Sequence, residues 1–151
     1  YEMELVFALK SGGTKITEAD ALSHIYGCAA GLDMTRRDLQ NKAKENRKPW
    51  DTAKDVDESA VITPLRQMSE VPSVASGRIH LSQNGTVKQD ADLSEMVWSV
   101  PEIIADLSTM YTLQQGDVIY MGTPAGVGAV SRGDVLTGGV EGIGDFEVKI
   151  A

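Results

Sequence analysis

Cysteine is almost missing from this 151-residue chain: Cys28 stands alone. One thiol excludes an internal disulfide framework and fits a reducing, cytoplasmic compartment. Cations are scarce, with 14 Lys and Arg against 22 Asp and Glu and a net charge of −8. That balance argues against nonspecific nucleic-acid binding. No apolar run approaches the ~18 residues that a membrane-crossing helix needs, so no membrane partner is expected. No signal-peptide pattern is present either. Histidine occurs twice, and neither His24 nor His80 has a Ser or Cys nucleophile signature around it. Both are expected to be structural, and Cys28, set among small apolar residues, is expected to be an inert core thiol. What remains is ordinary: 42% apolar and 24% charged residues, enough chain for one domain with a real core.

The unusual stretch is YEMELVFAL, residues 1–9. At the period of two of a β-strand, Tyr1, Met3, Leu5, Phe7 and Leu9 line one side. Glu2, Glu4, Val6 and Ala8 line the other, which turns apolar after Glu4 and so reads as partly buried. Two carboxylates at i and i+2 sit roughly 6–7 Å apart, from a rise of ~3.3 Å per residue. Buried without a cation they repel, and one is driven towards protonation. A hard divalent metal removes that problem. The alternative is an edge strand whose first outward residues are acidic.

Along the chain, KSGGTK (residues 10–15) reads as a turn, and Thr17 with Asp20 as a cap that starts a short helix, Glu18 to His24. Tyr26–Leu32 reads as a buried strand of small residues ending near Asp33, followed by a helix over Thr35–Asn46. Pro49, Pro64 and Pro72 make 47–77 irregular. Asn84-Gly85 joins Arg78–Leu81 to Thr86–Gln89 as a hairpin. Pro101 opens a helix over 101–111, and strands follow at Asp117–Met121, Val135–Thr137 and Phe146–Ile150. The fold class is a β-rich α+β domain over residues 1–151, with few short helices.

Several residues could carry chemistry. Asp33, at a strand end before a helix, is either an N-cap or a third oxygen ligand beside Glu2 and Glu4. Three carboxylates without a nearby Cys or His pair suit Mg²⁺, Ca²⁺ or Mn²⁺ better than zinc. The helix that follows holds Arg36, Arg37, Lys42, Lys44, Arg47 and Lys48. The last four read as a solvated face. Arg36 and Arg37 oppose the helix dipole, so an anion should compensate them: a substrate carboxylate, Asp33 or Asp38. Lys54, in an irregular segment, could stabilise an enolate if it lay near a metal. GTPAGVG (residues 122–128) is not a phosphate loop, because no Gly-Lys-Ser/Thr and no helix follow it. Its glycines permit a tight turn and close approach of a ligand, to which Thr123 could offer its hydroxyl.

YEMEL, YGCAAGLDMTRRDLQ, KPWDTAKDVD, IYMGTPAGVG and the closing glycine-rich strands, taken in order, resemble the fumarylacetoacetate hydrolase family. TRRDLQ followed by RKPWDTAK looks closest to its single-domain acylpyruvate hydrolases, fumarylpyruvate hydrolases among them. The resemblance implies a mixed β-sandwich roll, usually a homodimer, around a divalent ion, with Mg²⁺ expected and Mn²⁺ or Ca²⁺ admissible. It places the ion on Glu2, Glu4 and Asp33, sets Lys54 beside the substrate, and gives Arg37, Gln40 and Thr123 to substrate oxygens. Lys48, Asp55 and Val56 depart from the family pattern. A His and a Glu on a lid upstream of the metal strand are implied too: either the natural chain extends before Tyr1, as a start inside a strand without an initiator Met suggests, or this protein lacks that pair.

The implied reaction is hydrolysis of a carbon–carbon bond in a 2,4-dioxo acid, such as an acylpyruvate, in aromatic-compound catabolism. Two rivals stand beside it. One is decarboxylation or isomerisation of an oxo-acid, oxaloacetate or a hydroxymuconate-type diacid, on the same scaffold. The other is a non-catalytic protein that binds a metal or ligand.

Overall fold

Alternation along the first strand sets the architecture. In the computed structural model, which describes residues 1–151, β1 (Met3–Leu9) is buried on both faces. Met3, Leu5, Phe7 and Leu9 enter the core, each at most 2% exposed, and burying one such side chain contributes about 1.5–3 kcal/mol. Strands flank β1 on both edges. β2 (Ile25–Asp33) pairs with it in antiparallel register, Met3 opposite Leu32 and Glu4 opposite Gly31. β7 (Val118–Tyr120) pairs with the other edge over Val6–Ala8. β3 (Ala60–Ile62) and β4 (Arg66–Gln67) both pair with β2, completing the first sheet.

The second sheet runs β6 (Thr86–Asp92), β5 (Arg78–Gln83), β8 (Val135–Val140) and β9 (Gly144–Lys149), in that order. The pairings described in both sheets are antiparallel. Ile79, Leu81, Leu136 and Val140 meet the odd-numbered face of β1 in one core. The expected β-rich fold with few short helices is present. Asn84 and Gly85 both have positive φ, 52° and 77°, as the predicted hairpin turn requires. Here β5 and β6 run longer than the sequence signals suggested.

Four helices stand among the strands in chain order. α1 (Glu18–Ala21) is capped by the Thr17 hydroxyl, which accepts from the Asp20 amide, and a 3₁₀ turn over Leu22–His24 extends it. α2 (Arg37–Glu45) is shorter than predicted. α4 (Val100–Met110) has a reciprocal cap between Ser99 and Glu102, which fixes its start more firmly than Pro101 alone. Residues 47–77 depart from the irregular segment expected of them. They hold α3 (Asp51–Lys54), β3, β4 and a 3₁₀ turn at Met68–Glu70. Lys54 therefore closes a one-turn helix, anchored by the fully buried Ala53. The prolines limit these elements to two to four residues each without abolishing them.

The even-numbered face of β1 is roofed locally by Tyr120. Its side chain crosses from β7, and its hydroxyl donates to the Val61 carbonyl at 3.0 Å. Gly31 lies beneath. A Cβ there would stand 2.6 Å from Val6 Cγ2 and 2.9 Å from the Tyr120 ring. Gly31→Ala should therefore destabilise the fold by about 1–3 kcal/mol through overpacking. Urea denaturation of the metal-free protein measures it, and an unchanged midpoint would show that the roof yields freely.

Candidate metal centre

Glu2 and Glu4 project from the even-numbered face of β1, and Asp33 ends β2 beside them. The Asp33 amide donates to the Glu2 carbonyl at 2.9 Å, so the backbone ladder brings the two chains together here. One oxygen from each carboxylate lies within 4.8 Å of the others. Glu2 and Glu4 are 8% and 4% exposed. The acidic edge-strand alternative does not survive, since β1 is central in its sheet. Nor is Asp33 an N-cap. α2 begins behind Arg36, which makes no side-chain cap bond, and the Asp33 carboxylate is held by Lys54 instead.

Cations reach the group from two helices. Lys54 Nζ donates to Glu2 Oε2 at 2.6 Å, to Asp33 Oδ2 and to Thr35 Oγ1 at 2.9 Å. Arg37 donates through one nitrogen to Glu2 Oε1 at 2.5 Å and through another to Gln40 Oε1 at 2.7 Å. Of the anions expected for Arg37, neither Asp33 nor Asp38 is bonded to it: its partner within the chain is Glu2, on a distant strand. Burial alone would push the Glu2 carboxyl up, but the bonds from Lys54 and Arg37 outweigh it and hold it below the usual range. For Lys54, burial works against the charge, and the bonds to Asp33 and Glu2 more than restore it. Gln40 is buried, at 2% exposure, behind Arg37.

Glu4 is treated differently. Its one hydrogen-bond donor is the Gly122 amide, at 2.7 Å to Oε2. Gly122 has φ of 97°, which turns that amide back towards β1 and is open to glycine at little cost. Burial pushes the Glu4 carboxyl up to about 7; the Gly122 amide opposes the rise, while Asp33 and Glu2 add to it. The Tyr120 hydroxyl is raised by burial and by Glu4 and Asp33. The centre therefore holds three converging carboxylates, of which one has no cation bonded to it. An all-oxygen donor set with uncompensated charge fits a hard divalent ion held by Glu2, Glu4 and Asp33.

Thr123 follows Gly122 on the same loop, and its hydroxyl accepts from Gln89 Nε2 at 2.8 Å. Gln89 was not singled out from the sequence. Its signal was a polar residue at an inward position, directly opposite the core residue Leu81. A hollow of about 610 Å³ opens behind Gly122–Ala125, lined by Leu5, Leu93, Met96, Trp98 and Met121. It meets β1 at Leu5, on the odd-numbered side, and Thr123 lines it while Glu2, Glu4 and Asp33 do not. Lys42, Lys44, Arg47 and Lys48 are exposed as expected, with Lys44 stacked over Trp50. His24 bonds Ser11, and buried Cys28 has its thiol pushed up to about 11 by burial, so both stand apart from the centre.

A three-carboxylate centre on one sheet of a β-sandwich defines a class of oxygen-ligated metal proteins. The whole chain, residues 1–151, matches the family model described as fumarylacetoacetate (FAA) hydrolase C-terminal. It is 51% identical over 150 residues to a fumarylpyruvate hydrolase of Ralstonia sp., covering 99% of this chain and 78% of that protein. It is 35% identical to the mitochondrial oxaloacetate tautomerase FAHD1 of Rattus norvegicus, over 99% of this chain and 68% of the relative. The crystal structure of fumarylpyruvate hydrolase from Pseudomonas aeruginosa in complex with Mn²⁺ and pyruvate superposes with a TM-score of 0.97 at 42% identity, covering 100% of this chain and 65% of that one. This chain belongs to the fumarylacetoacetate hydrolase family.

The Glu4 proton gives a pH signature. Its folded pKa lies above the unfolded value of 4.5, so the folded metal-free chain binds the extra proton. Stability from that proton is complete below about 4.5 and is lost as pH rises through about 7, on the order of 3 kcal/mol in all. Glu4→Gln should flatten that slope in urea denaturation of the metal-free protein. In the wild type, Mn²⁺ binding should release about one proton at pH 6 and little at pH 8. Calorimetry in buffers of different ionisation heat reads this, and a proton count that does not change with pH would remove Glu4 from the ligand set.

Proposed function

We propose that this chain is the catalytic domain of a metal-dependent hydrolase. It cleaves a carbon–carbon bond in a 2,4-dioxo acid, an acylpyruvate of the fumarylpyruvate type. The observation that carries the reading is the meeting of Glu2, Glu4 and Asp33 with Lys54 bonded to two of them. The relative from Ralstonia supports the substrate class, and the Pseudomonas structure with Mn²⁺ and pyruvate supports both the ion and the product. Mg²⁺ is the expected physiological ion. These relatives are longer than this chain, which spans 65–78% of their lengths.

Glu2, Glu4 and Asp33 would hold the ion, which supplies Lewis acidity to the substrate's oxo oxygens. Every other task falls to side chains described above. Arg37, 38% exposed at its side chain, would take a substrate carboxylate while it fixes Glu2. Gln40 accepts from Arg37 and so would fix the orientation of its guanidinium. Lys54, with its ammonium already in the anionic centre, would stabilise the charge that grows on the enolate oxygen of the departing pyruvate. Thr123, next in the chain to the Gly122 amide that bonds Glu4, would offer its hydroxyl to a substrate oxygen. Water adds across the bond, giving the acyl carboxylate and pyruvate. A homodimer and a cytoplasmic setting belong to the same reading. Exposed Val97, Trp98, Met110 and Tyr111 offer apolar surface for a partner copy, and the lone buried thiol suits a reducing compartment.

Purified protein with Mg²⁺ or Mn²⁺ should release pyruvate from fumarylpyruvate, and a chelator should stop it reversibly. Lys54→Met should lower kcat by roughly 10²–10³-fold. Oxaloacetate run alongside separates the readings, since tautomerisation or decarboxylation of it with no acylpyruvate cleavage would replace the hydrolase assignment. Glu2→Ala should lose Mn²⁺ affinity and turnover together; retention of both would show the ligand assignment to be wrong.

A further inference from the structure

Gln89 is 1% exposed, and its amide makes three bonds, one to β1 and two to the loop that follows Gly122. It faces inward from β6, in the second sheet, and reaches the first. Oε1 accepts from the Met3 amide at 3.0 Å, between the two glutamates of β1. β7 pairs with β1 only over Val6–Ala8, so Gln89 takes an amide that the ladder no longer serves. Nε2 donates to Thr123 Oγ1 and to the Pro124 carbonyl, both at 2.8 Å. The opposite orientation of the amide would set NH₂ against the Met3 N–H and its oxygen against the Pro124 carbonyl, so the network fixes which end is which.

The direction of these bonds has a chemical result. A threonine hydroxyl has one hydrogen and two lone pairs. Gln89 fills a lone pair of Thr123, and the hydroxyl hydrogen finds no acceptor within the chain. We infer that Gln89 is a positioning residue that pins the Gly122–Pro124 loop to β1 and commits the Thr123 hydroxyl to donating towards an anionic oxygen of a bound 2-oxo acid. This rests on the hydrolase reading for the ligand class. It assigns to Gln89 a polarity that Thr123 alone does not have, since an unconstrained hydroxyl can turn either way.

The test uses the Mn²⁺-loaded protein, with oxalate and pyruvate as probes. Affinity is measured by calorimetry for the wild type, Gln89→Met, Thr123→Val, the double variant and Gln89→Glu. Gln89→Met and Thr123→Val should each weaken oxalate binding roughly tenfold, the loss expected for one hydrogen bond to a charged group. The double variant should bind oxalate no more weakly than Thr123→Val alone, because the two residues act through one hydroxyl. Gln89→Glu keeps the shape but accepts the Thr123 hydrogen, and should weaken oxalate at least as much while still folding. Mn²⁺ affinity should stay within about twofold of wild type throughout.

Three outcomes overturn the inference: oxalate binding by Gln89→Met equal to wild type, an equal loss from that change in the Thr123→Val background, or a parallel loss of Mn²⁺ affinity. The second and third would assign Gln89 to general packing. Failure of the wild-type Mn²⁺ protein to bind either probe would sink the hydrolase reading and this inference with it. Binding by wild type with an indifferent Gln89→Met sinks the inference alone.

Discussion

Mutual repulsion among three carboxylates is the constraint around which this structure is arranged. Glu2, Glu4 and Asp33 are brought close on a sheet face that is mostly sealed from water, where like charges cost most. Each element near them answers part of that cost. Lys54 spans Glu2 and Asp33, Arg37 takes the far oxygen of Glu2, and the Gly122 amide turns back to Glu4. The answer stops one charge short, at Glu4. The same constraint accounts for the odd start of α2. Arg36 and Arg37 stand at a helix end that disfavours cations, and Arg37 is reconciled to it by a carboxylate from another strand.

Precision and adjustability are divided between different parts of the chain. The carboxylates sit on adjacent central strands, tied by the Asp33–Glu2 backbone bond, where side-chain direction is dictated by the pleat. The counter-charges come from helices outside the sheet, through long side chains that reach in. The loop carrying Gly122 and Thr123 belongs to neither group by itself. The Met121 and Gly122 amides tie its start to β1, and Gln89 adds a tie across the sandwich at Thr123 and Pro124.

Much of this could be read from residue order. YEMELVFAL announced a strand with one apolar face and a second, partly buried one, and the two acids at period two left a metal centre open beside an acidic edge strand. Asn84-Gly85 announced its hairpin. These signals are local, and they survive because strand geometry acts over two or three residues. Lys54 was visible only through family resemblance, because its importance comes from a bond to Glu2, 52 positions away. The helix that carries it is a single turn between prolines, too short for periodicity to reveal. Arg37 was placed correctly in the chain but matched to sequence neighbours, whereas folding supplied Glu2. Gln89 escaped because an amide in a hairpin strand reads as surface until the ladder sets it opposite Leu81.

The pairing of Glu4 with Gly31, and of Met3 with Leu32, has a consequence for how this chain can vary. Between Leu9 and Ile25 the connection runs through turns and a short helix, and its length does not set the β1–β2 register that aims the ligands. Within β1 or β2 no such freedom exists. One residue inserted between Glu2 and Glu4, or between Gly31 and Asp33, would invert the alternation and aim a carboxylate into the hydrocarbon interior. Ligand direction is thus indifferent to chain length between the strands and set by parity within them.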